Sequence, residues 1–201
     1  MRWCYKAGVI ALMIMSLQAC KKMQLQKSFD FDENDHPPVH QPFDVTIWEF
    51  VSTHEEFTML SEAIQKAGLE DVYSGGENDK TVLLLRNEAL SAFLADYGYA
   101  TISDVPVDVL QRLLQYHVIT RRFTQIDLPV QEFVTMQTLI DGDDGRINIW
   151  KWREYWEIRV NTGGPDQPGT TKAANVYLHN YEFTNGVGHQ MKKYVQWIPF
   201  E

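Results

Sequence analysis

Two histidines and one tyrosine are the residues of this sequence whose chemistry could serve catalysis. Tyr116 directly precedes His117, and His189 follows much later in the chain. Imidazole and phenol groups are common general acids and bases. Both histidines lie inside apolar runs, however, where a neutral ring usually bonds the backbone or a neighbouring hydroxyl, and Ser91 and Ser103 lack the context of a nucleophile elbow. We therefore predict that these residues are structural and that the chain is not an enzyme.

Two other groups of residues have the types of metal ligands, but we predict no metal site and no other cofactor. His36 and His40 lie near acidic residues in a polar segment that offers no further ligand, which favours a solvated linker. The loop 141–145 has the acidic spacing of an EF-hand, but Trp152 stands where the bidentate glutamate belongs. A hairpin turn fits this loop better.

A cluster of tryptophans is the strongest candidate for a binding surface. Trp150, Trp152 and Trp156 lie close together in a segment with strand character. Because alternate residues of a strand share a face, Trp150 and Trp152 would lie side by side. Such a pair could stack on sugar rings or anchor a protein partner. The polar rim of this surface would consist of Lys151, Arg153 and Glu154. Alternatively, one or both tryptophans fill the core.

Composition limits the class of partner. The chain has 201 residues and a formal net charge of −9. A nucleic-acid partner requires a basic surface, so this balance argues against one. The two cysteines are Cys4 and Cys20, so the rest of the chain has neither a disulfide framework nor a cysteine metal site.

The first twenty residues have the pattern of an export signal. Arg2 and Lys6 precede the apolar run 7–17, which is too short for a membrane-spanning helix of ~20 residues. The run continues into Gln18, Ala19 and Cys20, and this end resembles a bacterial lipobox. In this interpretation residues 1–19 are a signal peptide and Cys20 becomes the lipidated first residue. An ordinary signal peptide or a short anchor is the alternative.

The segment after Cys20 and the proposed lipid together predict a location. Residues 20–43 are polar, charged and rich in proline, which is typical of a flexible tether. We expect the lipid to attach the chain to a membrane in the cell envelope of a diderm bacterium. The outer membrane is the expected site, with the domain facing the periplasm or the cell surface.

The first half of the remaining chain has helical patterns. Asp44 and Asn87 are predicted helix N-caps, and Thr53 with Glu56 has the form of a capping box. The run 81–85, TVLLL, predicts a short buried strand between helices.

The second half has strand patterns. Residues 133–139, 146–150 and 155–161 are rich in β-branched and aromatic residues. Asn185-Gly186 predicts a tight turn, because both residue types tolerate positive φ. A final strand with one buried face would follow. Helices followed by strands predict an α+β fold.

Three motifs, taken in order, resemble the fasciclin (FAS1) domain family. Residues 81–94 resemble its first block, residues 113–118 its tyrosine–histidine motif, and residues 184–189 its second block. The resemblance implies one domain over residues 44–201, a β-sandwich or wedge of short strands with helices packed from the N-terminal half. The family motif residues, which we expect to be mainly structural, are Asn87, Tyr116, His117, Asn185, Gly186 and His189.

The resemblance also implies a role. A membrane-anchored, non-enzymatic module for cell adhesion or for binding a protein or glycan is expected, with an accessory ligand-binding lipoprotein of an outer-membrane uptake or assembly complex as the alternative. In animal relatives aspartate-containing and tyrosine–histidine segments are implicated in integrin binding. Here Asn180 and Lys192 stand where aspartates are common, which weakens that particular role. His189 is expected to pack toward Tyr116 and His117.

Overall fold

A computed structural model describes residues 41–76, 78–152 and 157–200, with only the main chain of Gln41. All of these residues belong to one compact unit. The predicted signal peptide, Cys20 and the tether up to residue 40 lie outside the described residues. None of the helices described is both long enough and apolar enough to cross a bilayer.

The helices precede most of the strands, as the sequence predicts. Amphipathic spacing determines which side of each helix is buried, and in α5 the inward residues are Val109, Leu110, Leu113 and Leu114. Short 3-10 turns cover Glu55–Phe57, Ile102–Asp104 and Asp143–Gly145. The α-helices are α1 (Ile47–Thr53), α2 (Thr58–Ala67), α3 (Glu70–Ser74), α4 (Asn87–Tyr97) and α5 (Val107–Tyr116).

The strands form two sheets, and the fold is of the mixed α+β class. The first sheet has the order β1-β8-β9-β2-β3, and the second has the order β4-β5-β6-β7. The strands are β1 (Gln41–Pro42), β2 (Thr81–Leu85), β3 (Val118–Ile119), β4 (Phe133–Gln137), β5 (Arg146–Lys151), β6 (Ile158–Val160), β7 (Ala174–Asn175), β8 (Leu178–Phe183) and β9 (Gly186–Met191).

The centre of the first sheet joins two distant parts of the chain. Strands β2 and β9 pair in parallel, from Thr81 opposite Val187 to Leu85 opposite Met191. Every residue of both strands is buried. The expectation that the last strand has only one buried face was therefore wrong, because β9 lies between β8 and β2.

The domain begins before residue 44. Gln41 and Pro42 pair in parallel with Tyr181 and Glu182 of β8. The ring of Phe43 stacks on Tyr181, with 5.6 Å between ring centroids. The predicted tether boundary at residue 43 was therefore too late, because these residues extend the sheet and join the core.

Local hydrogen bonds correct two predicted helix caps. Thr46, not Asp44, caps α1: its hydroxyl accepts the Glu49 N–H at 3.2 Å, and the Glu49 carboxylate accepts the Thr46 N–H at 2.7 Å. The predicted capping box at Thr53 and Glu56 is absent. The Thr53 hydroxyl instead donates to the carbonyls of Glu49 and Phe50 at the end of α1.

The second sheet is antiparallel throughout. The acidic loop that separates β4 from β5 forms a hairpin connection containing one 3-10 turn, as predicted. One side of this sheet faces the core through Met136, Ile147, Ile149, Ile158 and Val160. Because alternate residues of a strand point to opposite sides, the other side carries the residues between them.

Candidate functional site: the aromatic face of the second sheet

A row of rings and a guanidinium group crosses the outer side of the second sheet. Trp150 of β5 lies opposite Phe133 of β4 and opposite Arg159 of β6. The Phe133 and Trp150 rings stack with centroids 5.9 Å apart. The Trp152 ring meets Trp150 edge-on at 5.1 Å. We call Phe133, Trp150, Trp152 and Arg159 the aromatic face.

Arg159 is held against both indole rings. Its guanidinium carbon lies 4.3 Å from the Trp152 ring centroid and 5.4 Å from that of Trp150, a cation–π arrangement. Its Nε donates to Glu157 at 2.9 Å. The other oxygen of Glu157 accepts the Asn175 side-chain N–H at 2.6 Å. Neighbours on the sheet thus fix the position of the charge.

The aromatic face remains partly open to solvent. Phe133 is 41% exposed, and Trp150 and Trp152 are half-buried. The core positions of the same strands, such as Ile149 and Val160, are completely buried. The two tryptophans are therefore not core residues of the domain.

Lys151 does not contribute to the rim of this surface. Its side chain points to the opposite side of β5, is 2% exposed, and donates from Nζ to the Gln125 carbonyl at 2.9 Å. Burial lowers the pKa of Lys151, and Asp127 opposes part of that shift. The prediction for Lys151 was wrong. The other predicted members, Arg153, Glu154 and Trp156, lie outside the described residues.

Arg159 and Glu157 supply the charged part of the surface, and the sequence analysis missed both. The sequence contained a signal for them, because Glu157 and Arg159 are two positions apart shortly after the tryptophans, and residues at that spacing share one side of a strand. The pairing of β5 with β6 was needed to place them beside Trp150.

Tyr116 and His117 are buried residues with structural partners. The Tyr116 hydroxyl donates to the Arg146 carbonyl at 2.8 Å and accepts from the Asn161 amide at 2.9 Å. His117 Nδ1 bonds the Leu113 carbonyl at 2.8 Å, and its Nε2 accepts the Val195 N–H at 3.1 Å.

The environment of His117 does not suit acid–base chemistry. Burial lowers its pKa to about 4, and the bond to Leu113 opposes only part of this shift. Burial also raises the pKa of the Tyr116 phenol. Both ring nitrogens of His117 are occupied by backbone groups, so no proton position faces a substrate.

His189 lies in a different environment from the one predicted. Its Nδ1 accepts the Asn180 N–H at 3.2 Å, and its ring lies 5.1 Å from that of Phe123. The expected packing toward Tyr116 and His117 was wrong, because β9 places this ring beside the segment that follows β3. Burial lowers the pKa of His189 to about 3, and nearby His179 adds to the shift.

Asn185 ties the β8–β9 turn to two helices. The loop residues are Thr184 and Asn185, since Phe183 pairs with Gly186. Asn185 is not among the residues with positive φ, contrary to the predicted reason for an Asn-Gly turn. Its side chain accepts the Ile47 N–H at the start of α1 and donates to the Tyr73 carbonyl in α3.

Gly186 is required for close packing. A Cβ at this position would lie 2.9 Å from the Lys80 carbonyl oxygen and 3.1 Å from a methyl group of Ile47. The backbone of β9 therefore approaches the end of the loop before β2 more closely than a larger residue allows.

Asn87 caps a helix, but not the one predicted. It is the first residue of α4, and Arg86 occupies the N-cap position of that helix. Its carbonyl oxygen accepts the Met59 N–H of α2 at 3.1 Å, and its amide donates to the Glu55 carbonyl at 2.8 Å. Asn87 thereby joins the first block to the start of α2.

Metal ligands do not cluster in the described residues. No group of three or more histidine, cysteine, aspartate or glutamate side chains there is arranged to hold an ion.

Comparisons with known proteins identify a family by its sequence model and a similar fold among solved structures. The model of the Fasciclin domain matches residues 55–196. The structure is similar to that of a FAS1 domain pair from the insect cell adhesion molecule Fasciclin I, with 17% sequence identity and a TM-score of 0.57. The match covers 75% of this chain and 50% of that one, so this chain spans half the length of the insect pair. No curated protein sequence matches the chain.

Proposed function

The chain belongs to the fasciclin domain family, and from this premise we propose that it is a lipid-anchored, non-enzymatic module that binds a protein or glycan during adhesion. Fasciclin domains are generally adhesion or interaction modules. The proposal has three parts beyond family membership: the surface that makes the contact, the membrane attachment and the absence of catalysis.

The observation that carries the proposal is the aromatic face. Tryptophan and arginine are the residue types that most often dominate binding energy at interfaces. Here two tryptophans and one arginine lie together, partly exposed, on one side of a sheet and in contact with one another. Side chains that already hold one another in place lose less conformational entropy when they bind a partner.

The buried motif residues support a non-enzymatic role. Tyr116, His117 and His189 bond backbone groups or other buried side chains. Their hydrogen bonds join the end of α5 to β5 and to the segment after β9, and join β9 to β8. These residues therefore have a structural explanation that does not require a substrate.

Membrane attachment through Cys20 is the second part of the proposal. It is based on the apolar run and the lipobox-like end of residues 1–20. The tether that follows would hold the domain away from the outer membrane. An accessory ligand-binding lipoprotein of an uptake or assembly complex is the alternative, and it would use the same anchor.

Metabolic labelling tests the anchor, and cell adhesion tests the role. Labelled palmitate should be incorporated into the full chain and lost in Cys20→Ser. Cells producing the full chain should adhere to one another or to their native surface more than cells that lack it, and Cys20→Ser should remove this gain. Unaltered labelling in the variant would refute the anchor, and equal adhesion with and without the chain would refute the role.

A further inference from the structure

An open groove lies along β7, next to the aromatic face. Its volume is about 520 Å³, within the range of roughly 300–1,000 Å³ for small-molecule sites. Glu157 and Asn175 line it, and both belong to the hydrogen-bond chain that holds Arg159. The groove is therefore linked to the aromatic face through the hydrogen bonds of Glu157.

Two lysines give the groove a local positive charge. Lys192 and Lys193 follow directly after β9, line the groove and are exposed. Neither makes an ion pair within 4 Å in the described part of the chain. Although the whole chain has a net charge of −9, these two adjacent exposed cations make the groove locally positive and attract an anion, and Lys192 also acts on Glu88, whose pKa it helps to lower.

Tyr177 fixes the position of one of these cations. The Lys192 Nζ lies 3.6 Å from the centroid of the Tyr177 ring, a cation–π contact. Arg86 also lies against this ring, at 5.4 Å, but Glu56 and Glu88 lie 3.8 and 3.5 Å from its guanidinium nitrogens. The free charge in the groove therefore comes from the lysines, and Lys192 is held in place before a ligand arrives.

The remaining polar groups suit hydroxyls. The side-chain N–H of Asn175 donates to Glu157, and the side-chain oxygen of Asn175 has no hydrogen bond within the described residues. That oxygen and the unused lone pairs of Glu157 can accept hydroxyl protons. Lysine ammonium groups donate to carboxylates. A ligand that satisfies both sets carries hydroxyl groups and a carboxylate.

A peptide strand fits this groove less well than a sugar. Peptides that add to a sheet edge need free main-chain donors. On this segment the Lys172, Val176 and Tyr177 N–H groups already donate to Gln196, Ile158 and Gln190, at 2.9, 2.8 and 2.8 Å. These three donors are therefore not available to a new ladder of hydrogen bonds.

We propose that the groove binds an acidic sugar of the uronic acid class. Its carboxylate contacts Lys192 and Lys193, and its ring hydroxyls contact Asn175 and Glu157. This inference rests on the proposed binding role and names the ligand class for it. The occupant is a segment of an acidic polysaccharide, which could extend toward Trp150.

Calorimetry with a defined sugar tests the proposal. The full chain in detergent is titrated with tetragalacturonate and with its methyl ester, which has the same shape without the charge. Binding of the acid is expected, with affinity falling as salt screens the lysines. The double variant Lys192→Gln/Lys193→Gln should bind about tenfold or more weakly, because two charge-assisted contacts are lost.

A charge-matched control separates the groove from general electrostatics. Arg112→Gln/Arg121→Gln removes two positive charges outside the groove and should leave affinity within about twofold. Absence of tetragalacturonate binding, equal binding of the methyl ester, or equal losses in the two double variants would each overturn the proposal. Equal or tighter binding of hexaglutamate would also overturn it and would assign the groove to an acidic protein segment. Adhesion that still depends on Trp150 and Trp152 would show that only the groove proposal had failed.

Discussion

The Asn185 side chain accepts the Ile47 N–H at 3.0 Å, although 138 residues separate them in the chain. The same side chain donates to the Tyr73 carbonyl at 2.9 Å and to the Gly75 carbonyl at 3.3 Å. One buried amide in the β8–β9 turn thus provides hydrogen-bond partners for an N–H group at the start of α1 and for carbonyl groups at the end of α3. The turn motif is therefore a junction between the first sheet and the N-terminal helices.

Replacing Asn185 should destabilise the domain. Asn185→Ala removes the hydrogen-bond partner of the buried Ile47 N–H and of the Tyr73 carbonyl, which should cost about 2–3 kcal/mol. Urea unfolding of the variant measures this loss. The exposed neighbour Thr184 provides the control, since Thr184→Ala should change the free energy of unfolding by less than about 0.5 kcal/mol. Equal effects of the two changes would contradict the role of the amide.

Gly188 should not tolerate even one added methyl group. A Cβ there would lie 2.7 Å from side-chain carbons of both Leu84 and Phe183. Gly188→Ala should therefore cost about 1–3 kcal/mol by overpacking the core, measured by urea unfolding. Gly169→Ala is the matched control, because a Cβ at Gly169 meets no atom within 4 Å. If both variants unfold at the same urea concentration, that result would contradict the close packing of Gly188 against Leu84 and Phe183.

The buried histidines should make stability depend on pH. Burial lowers the pKa of His117 to about 4 and that of His189 to about 3, from an ordinary value of 6.5. As the pH falls below 6.5, the unfolded chain takes up protons that the folded chain excludes, so stability decreases. Each histidine should contribute a loss of about 1 kcal/mol per pH unit between pH 6 and pH 4, with no further loss below its folded pKa.

His189→Gln isolates one half of this effect. The variant should show a shallower fall in the free energy of unfolding between pH 6 and pH 4, by about 1 kcal/mol per pH unit. Urea unfolding at several pH values measures both slopes, and the carboxylates that titrate in this range are common to both proteins. Identical slopes would mean that His189 takes up its proton as readily in the folded domain as in the unfolded chain, and would contradict its lowered pKa.

The sequence predicted the parts of the fold that local spacing determines. The helical face of α5, the buried run of β2 and the hairpin around the acidic loop follow from periodicity and turn residues. Strand alternation also placed Trp150 beside Trp152. The same alternation assigns Lys151 to the opposite side of the strand. Its burial could therefore have been predicted from the sequence.

Other features depend on contacts between distant segments. Asn87 has the residue type of a cap, but its partner in α2 becomes known only when the helices are packed. The burial of β9 follows from its place between β8 and β2. Arg159 reaches Trp152 because β6 pairs with β5. Local patterns alone do not contain these pairings.

The most direct test of the proposed role compares two double variants in cells that produce the full chain. Trp150→Ala/Trp152→Ala removes the aromatic face, and Val107→Ala/Ile126→Ala removes two exposed apolar side chains from outside that face. Adhesion is measured at equal amounts of envelope-localised protein, with circular dichroism to confirm folding. We predict about a tenfold or greater loss for the tryptophan pair, as for central interface residues, and little change for the control pair. Wild-type adhesion by the folded tryptophan variant would contradict the account.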